Sequence, residues 1–185
     1  MRPSRAILAF YIMLMMFFVF CGTAVASGNL NVFIGGKTLQ DKWDPVEEQV
    51  TGGFESDFEV GPISIAFGLL EGVASDSDAM YDYVGDTVEL QFGVKKIFKM
   101  GDVRPFIGGG LALISGTYWY EDIYGFEWED SDSAGGYWAS AGIFWALKRF
   151  NVGFEAGYSS ADITLFNTEL DAGGTRFGML FGYNW

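Results

Sequence analysis

Apolar and polar residues alternate with a period of two along most of this chain, the spacing that predicts half-buried strands. In "NLNVFIGGK", Leu30, Val32 and Ile34 share one face; Asn31, Phe33, Gly35 and Lys37 share the other. "VTGGFESDFEV" sets Val50, Phe54, Phe58 and Val60 against Thr51, Gly53, Glu55, Asp57 and Glu59. "PISIAFGLL" and "TVELQFGVK" repeat the pattern, with Glu89 and Lys95 on the second, polar face. "RPFIGGGLALISGTYWY" is apolar on both faces, with Ile107, Leu111 and Leu113 assigned to the apolar one. "YWASAGIFWALK" and "NVGFEAGYS" follow, the latter placing Glu155 opposite Val152, Phe154 and Tyr158. The closing "RFGMLFGYNW" sets Phe177, Met179, Phe181, Tyr183 and Trp185 against Arg176, Gly178, Leu180, Gly182 and Asn184.

Eight such segments allow an up-and-down meander to close on itself. The connections alternate too. Short turns are expected at Gly61-Pro62, in "KMGDV" and at "RF", and long polar loops over 39–48, 71–85, 121–135 and 162–173. Those four loops hold 17 of the 24 acidic residues and a single basic one, Lys42. Short turns at one end and long loops at the other is the arrangement of a membrane barrel.

A soluble eight-stranded barrel has an apolar interior and a polar exterior, and period two alone does not separate the two readings. The polar face does. It is mostly Gly, Ser and Thr, with the ionisable residues Lys37, Glu55, Asp57, Glu59, Glu89, Lys95, Glu155 and Arg176. A water-facing exterior would carry more long charged side chains and less glycine, which weakens strands. Small residues suit the crowded lumen of an eight-stranded barrel. The apolar face is rich in aromatics. Trp119, Tyr120 and Tyr137 fall near the loop end, and Phe98, Phe150 and Trp185 near the turn end, as interfacial girdles would. The fold class expected is therefore all-β, an eight-stranded antiparallel up-and-down transmembrane barrel.

The first residues fit this destination. Arg2 and Arg5 precede an apolar run that closes on Ala24-Val25-Ala26, the pattern of a cleaved export signal. The expected organisation is a signal peptide over 1–26 and a barrel domain over 27–185. Removal of the signal takes the net charge from −13 to −15 and discards Cys21, the one cysteine. So acidic a chain is unsuited to nucleic acid, which is held by Lys and Arg.

At this point the sequence resembles the small eight-stranded outer-membrane β-barrel family, of the OmpA and OmpX type. The resemblance covers the chain from residue 27 onward. It rests on the export signal, on "RPFIGGGLAL", which is similar to a Pro-aromatic-aliphatic-Gly-x-Gly strand common in such barrels, and on a last strand ending in an aromatic. It implies residence in the cell outer membrane among lipid and lipopolysaccharide. It also implies that Phe177, Met179, Phe181, Tyr183 and Trp185 are the signal read by the barrel-assembly machinery.

The enzymatic members of such barrels rely on a histidine. This chain has none, so the expectation is a protein that is not an enzyme and carries no cofactor. The lumen charges admit a porin-like water path. The better expectation is mutual pairing that plugs the barrel, because an unpaired buried charge is costly. Distance from the turn end groups Asp57 with Lys95 and Glu155, and sets Lys37, Glu89 and Arg176 higher. The acidic loops suit a structural or surface-interaction role, with a surface ligand reached through them. In "YEDIYGFEWEDSDSAGG", Glu127, Glu129, Asp130 and Asp132 are weak candidates for a divalent metal, since hard cations take oxygen ligands. The alternative is a barrel that binds or transports a small or hydrophobic solute, with Phe106 and Ile114 lining an apolar pocket.

Overall fold

The computed structural model describes residues 27–185; the expected signal peptide lies outside them. Eight strands form the barrel: β1 (Gly28–Thr38), β2 (Glu48–Val60), β3 (Ile63–Ser77), β4 (Tyr81–Ile97), β5 (Val103–Asp122), β6 (Glu127–Leu147), β7 (Phe150–Ser160) and β10 (Gly174–Asn184). Each pairs antiparallel with the next, and β10 returns to pair with β1, so the sheet is closed. At that seam Leu30 lies opposite Tyr183 and Lys37 opposite Arg176. The Gly28 N–H donates to the Trp185 carbonyl at 3.2 Å, and the Trp185 N–H to the Gly28 carbonyl at 3.1 Å. Two further strands, β8 (Asp162–Leu165) and β9 (Thr168–Asp171), make a separate hairpin.

The barrel is inverted relative to a soluble one. Its exterior presents Ile34, Leu90, Phe92, Val94, Ile107, Leu111, Leu113, Leu147, Phe154 and Phe177, all exposed. Its interior buries Lys37, Glu55, Glu89, Lys95, Glu155 and Arg176. A closed barrel leaves no strand edge unpaired, which is what lets a sheet sit in hydrocarbon. At one end the strands meet in tight turns, where Gly61 (φ 68°) takes a left-handed conformation that a side chain would strain.

The other end differs from the expected loops. Residues 71–85 are mostly strand, because β3 and β4 run on to Ser77 and back from Tyr81. Likewise β5 and β6 extend so far that the connection between them is only residues 123–126. The physical reason is that strand pairing beyond a lipid band needs no apolar face, so an acidic sequence can continue the ladder. Residues 162–173 hold the β8–β9 hairpin in place of an open loop. Tyr120, expected in an outer girdle, sits on the inner face of the β5–β6 extension, stacked on Trp128 at 5.0 Å and 5.7 Å from Phe166. Trp119 and Tyr137 remain on the outer face.

Candidate functional site

The lumen is filled in layers. At its centre six charged side chains from β1, β2, β4, β7 and β10 converge, and all are at most 5% exposed. Arg176 lies 2.8 Å from Glu155, and 3.7 Å from both Glu55 and Glu89. Lys95 lies 2.5 Å from Glu55 and 3.6 Å from Glu155. Lys37 lies 3.6 Å from Glu89. Three cations therefore meet three carboxylates, and no formal charge is left over. Glu89 also accepts from Ser159 Oγ at 2.9 Å and Gln91 Nε2 at 2.5 Å.

Small residues make the space. A Cβ on Gly157 would come within 2.7 Å of the Arg176 guanidinium carbon, and one on Gly108 within 2.7 Å of the Lys95 stem. The Lys95 ammonium also sits over the Phe106 ring, 4.8 Å from its centroid.

The other two lumen acids make no direct ion pair with this cluster. Asp57 accepts from Asn29 Nδ2 at 2.9 Å, at one end of an amide ladder that continues through Asn151 to Asn31 and Asn184. Glu59 lies at the turn-end mouth, 2.7 Å from Lys99 and hydrogen-bonded by Ser27. Of the expected grouping, Lys95 and Glu155 do meet, as do Lys37, Glu89 and Arg176; Glu55 rather than Asp57 makes the direct contact with Lys95. Barrel shear offsets neighbouring strands, so counting from the turns misplaces levels between them.

Phe33, Leu70, Phe106, Phe144 and Leu180 form an apolar layer in the barrel interior. At the loop end a second apolar layer plugs the mouth. Trp43, Val46, Ile114, Ile163, Leu165 and Leu170 pack there with Trp138 and Leu39. Trp43 comes from a short 3-10 turn (Asp41–Trp43) after β1, and its indole N–H donates to the Asp171 carbonyl at 2.8 Å. Lys37 joins plug to ion layer, donating to the Ala172 carbonyl at 3.1 Å. Phe106 and Ile114 are both buried within these layers, so neither lines an open pocket. The gap bounded by Lys37, Thr51, Leu70, Thr87, Glu89 and Arg176 has no room for a water molecule.

The four metal candidates are divided by their own alternation. Glu127 and Glu129 lie on the outer face of β6, and Asp130 and Asp132 on the inner one. Asp130 accepts from the Phe166 N–H at 2.6 Å, and Asp132 from the Thr164 N–H at 2.9 Å. They hold the β8–β9 hairpin across the mouth. These backbone donors, with that of Ser133, hold the Asp132 carboxyl below its ordinary pKa. Among the described residues no group of three or more acidic side chains is arranged to hold a metal ion.

Sequence reasoning missed the plug. Its one readable signal was the alternation of Ile163 and Leu165 with Asp162 and Thr164, followed by Phe166-Asn167, both at positive φ. Trp43 gave no periodic signal at all. Phe177, Met179, Phe181, Tyr183 and Trp185 line the exterior of β10, each between 39% and 63% exposed.

No protein-family model matches the chain, and no curated protein matches it in sequence. Solved structures do match in fold. Ail, the attachment invasion locus protein of Yersinia pestis, in complex with the heparin analogue sucrose octasulfate, superposes with a TM-score of 0.60 at 14% identity, covering 86% of this chain and 99% of that one. Neisserial surface protein A gives 0.56 at 12% identity, covering 87% and 96%. The N-terminal β-barrel domain of Pseudomonas aeruginosa OprF gives 0.50 at 14% identity, covering 86% and 99%. The chain has the fold of the small eight-stranded outer-membrane barrels.

Proposed function

We propose that this chain is a non-enzymatic outer-membrane barrel with a closed lumen, exported by a cleaved signal and acting through its extracellular hairpins in a structural or surface-interaction role. The observation that carries the reading is the inversion itself: an apolar, aromatic exterior around a charge-balanced interior filled by buried side chains. The turn end then faces the periplasm and the loop end the cell exterior. The β10 exterior, from Phe177 to Trp185, is the segment offered to the barrel-assembly machinery. Lipid and lipopolysaccharide are the surroundings of the exterior band.

The extracellular tip is where a partner would meet the protein. Ile123, Tyr124 and Phe126 are 62%, 80% and 63% exposed, and acids surround them. A polyanion such as the one bound to Ail is not carried over. At this end Lys42 is the one base, and its ammonium already donates to the Glu169 carbonyl at 2.8 Å. Transport of a small or hydrophobic solute ranks below, because Phe106 and Ile114 are covered.

The test is insertion of the purified chain into a planar bilayer. The expected result is stable insertion without steady single-channel conductance. Reproducible open-channel steps would overturn the closed-lumen reading, and failure to insert would overturn the membrane reading.

A further inference from the structure

The turn end carries a feature that the surface role does not use. Of the nine basic residues in the described chain, Lys96, Lys99, Arg104, Lys148 and Arg149 lie here, against Glu59 and Asp102. Between the β2–β3 turn (Gly61-Pro62) and the β4–β5 turn (98–102) is a half-open cavity of about 580 Å³. That volume is in the range of roughly 300–1,000 Å³ usual for small-molecule sites.

Its walls are of two kinds. Ile63, Phe98 and Met100 are apolar and 43%, 44% and 67% exposed, so that side opens onto the lipid-facing band. Lys96 and Lys99 supply two ammonium groups. Lys96 lies opposite Ile107 on the barrel exterior, and it donates to the Pro62 carbonyl, leaving further N–H donors free. Lys99 is paired with Glu59 at 2.7 Å, and Ser27 donates a second hydrogen bond to that carboxylate. The one acid in the cavity is thus already satisfied, and the net charge of the lining is positive.

We propose that this cavity binds the phosphodiester headgroup of an anionic phospholipid from the periplasmic leaflet. The proposal rests on the membrane reading above. Lys96 and Lys99 hold the phosphate as charge-assisted donors. The acyl chains run up the exterior past Ile63, Ile107 and Val94. A soluble phosphate would leave the apolar wall unused, and an uncharged lipid would leave the lysines unmatched. A phospholipid uses both.

The experiment is native mass spectrometry of the full chain, folded in non-ionic detergent and titrated with phosphatidylglycerol. The wild type should retain one lipid through detergent removal. Lys96→Gln/Lys99→Gln should retain less, about fivefold for each lysine removed. Lys148→Asn/Arg149→Gln, on the neighbouring turn of the same rim, should match the wild type. Circular dichroism confirms that each variant is folded. Equal retention by the Lys96/Lys99 variant overturns the proposal, as does equal loss in the Lys148/Arg149 variant, which would mean diffuse rim electrostatics. Equal retention of diacylglycerol reduces the site to apolar contact, and displacement by millimolar inorganic phosphate reassigns it to a free anion; both overturn it. A chain that inserts into vesicles yet retains no lipid refutes the cavity alone. A chain that never inserts refutes the membrane reading.

Discussion

Two layers fill the same lumen, and they are built in opposite ways. The central layer is charge: Lys37, Lys95 and Arg176 against Glu55, Glu89 and Glu155, every one from a barrel strand. The loop-end layer is hydrocarbon: Trp43, Val46, Ile163, Leu165 and Leu170, from segments that fold into the mouth between barrel strands, packed on Ile114 of β5 and Trp138 of β6. The ion layer is positioned by barrel register, so it cannot move without the barrel. The plug is positioned by side-chain packing and by hydrogen bonds to Asp130, Asp132 and Asp171, so it is expected to loosen before the barrel does. The expectation is that one layer belongs to the global fold and the other behaves as a local unit with its own stability.

The sharpest way to break this contrast is Arg176→Met. It leaves three buried carboxylates facing two lysines, and removal of one partner from a buried ion cluster costs about 3–5 kcal/mol. Urea unfolding of the whole barrel in lipid vesicles should show that loss, and Arg176→Met/Glu155→Gln should recover part of it. Next comes Trp43→Ala. Removing a buried tryptophan costs about 3 kcal/mol or more, yet here the loss should fall on the plug. Amide exchange should quicken over 39–47 and 161–172 while the barrel's urea midpoint holds. A matching fall in that midpoint would merge the two layers into one.

A smaller effect is expected from acid. The Asp132 carboxyl titrates below its ordinary value because the Thr164 and Ser133 N–H groups donate to it. A depressed carboxylate contributes fully above the unfolded value of about 4 and loses its contribution as pH falls through the folded one. The hairpin should therefore stay docked from neutrality to about pH 5 and loosen below about pH 4. Exchange at the Thr164 amide measures this, and Asp132→Asn should show the looser hairpin already at pH 7. The smallest expected change is none: Trp43→Ala/Ile163→Ala should leave planar bilayers silent, since the ion layer still blocks the lumen. Conductance in that variant would make the plug the real barrier.

The same contrast explains what was legible in the sequence. Residues of the ion layer alternate with lipid-facing ones along each strand, so Glu155 between Phe154 and Ala156 declares its face at once. Their partners were harder, since pairing runs around the barrel and shear decides which levels meet; Glu55, not Asp57, reaches Lys95. The plug has no period to read. Trp43 is a lone aromatic in a polar connection, and its burial follows from where the loop lands. Acidity also misled: "EWEDSDSAGG" looks like loop, yet it is ladder, because outside lipid a strand tolerates charge on both faces. The Lys96 and Lys99 cavity was invisible for a related reason, being made by two turns distant in sequence.

The seam between β1 and β10 has a consequence for how the protein comes to exist. Every other ladder of the barrel joins consecutive barrel strands and can zip up locally, hairpin by hairpin. The seam alone joins opposite ends of the described chain, with Leu30 opposite Tyr183, so its contact order is by far the highest and its closure should be the slow step of assembly. Until it closes, the molecule is an open sheet with two bare edges, each a template for pairing with another chain. Before closure, then, there are two edges to be kept from other chains, and each finds its proper partner only in the other.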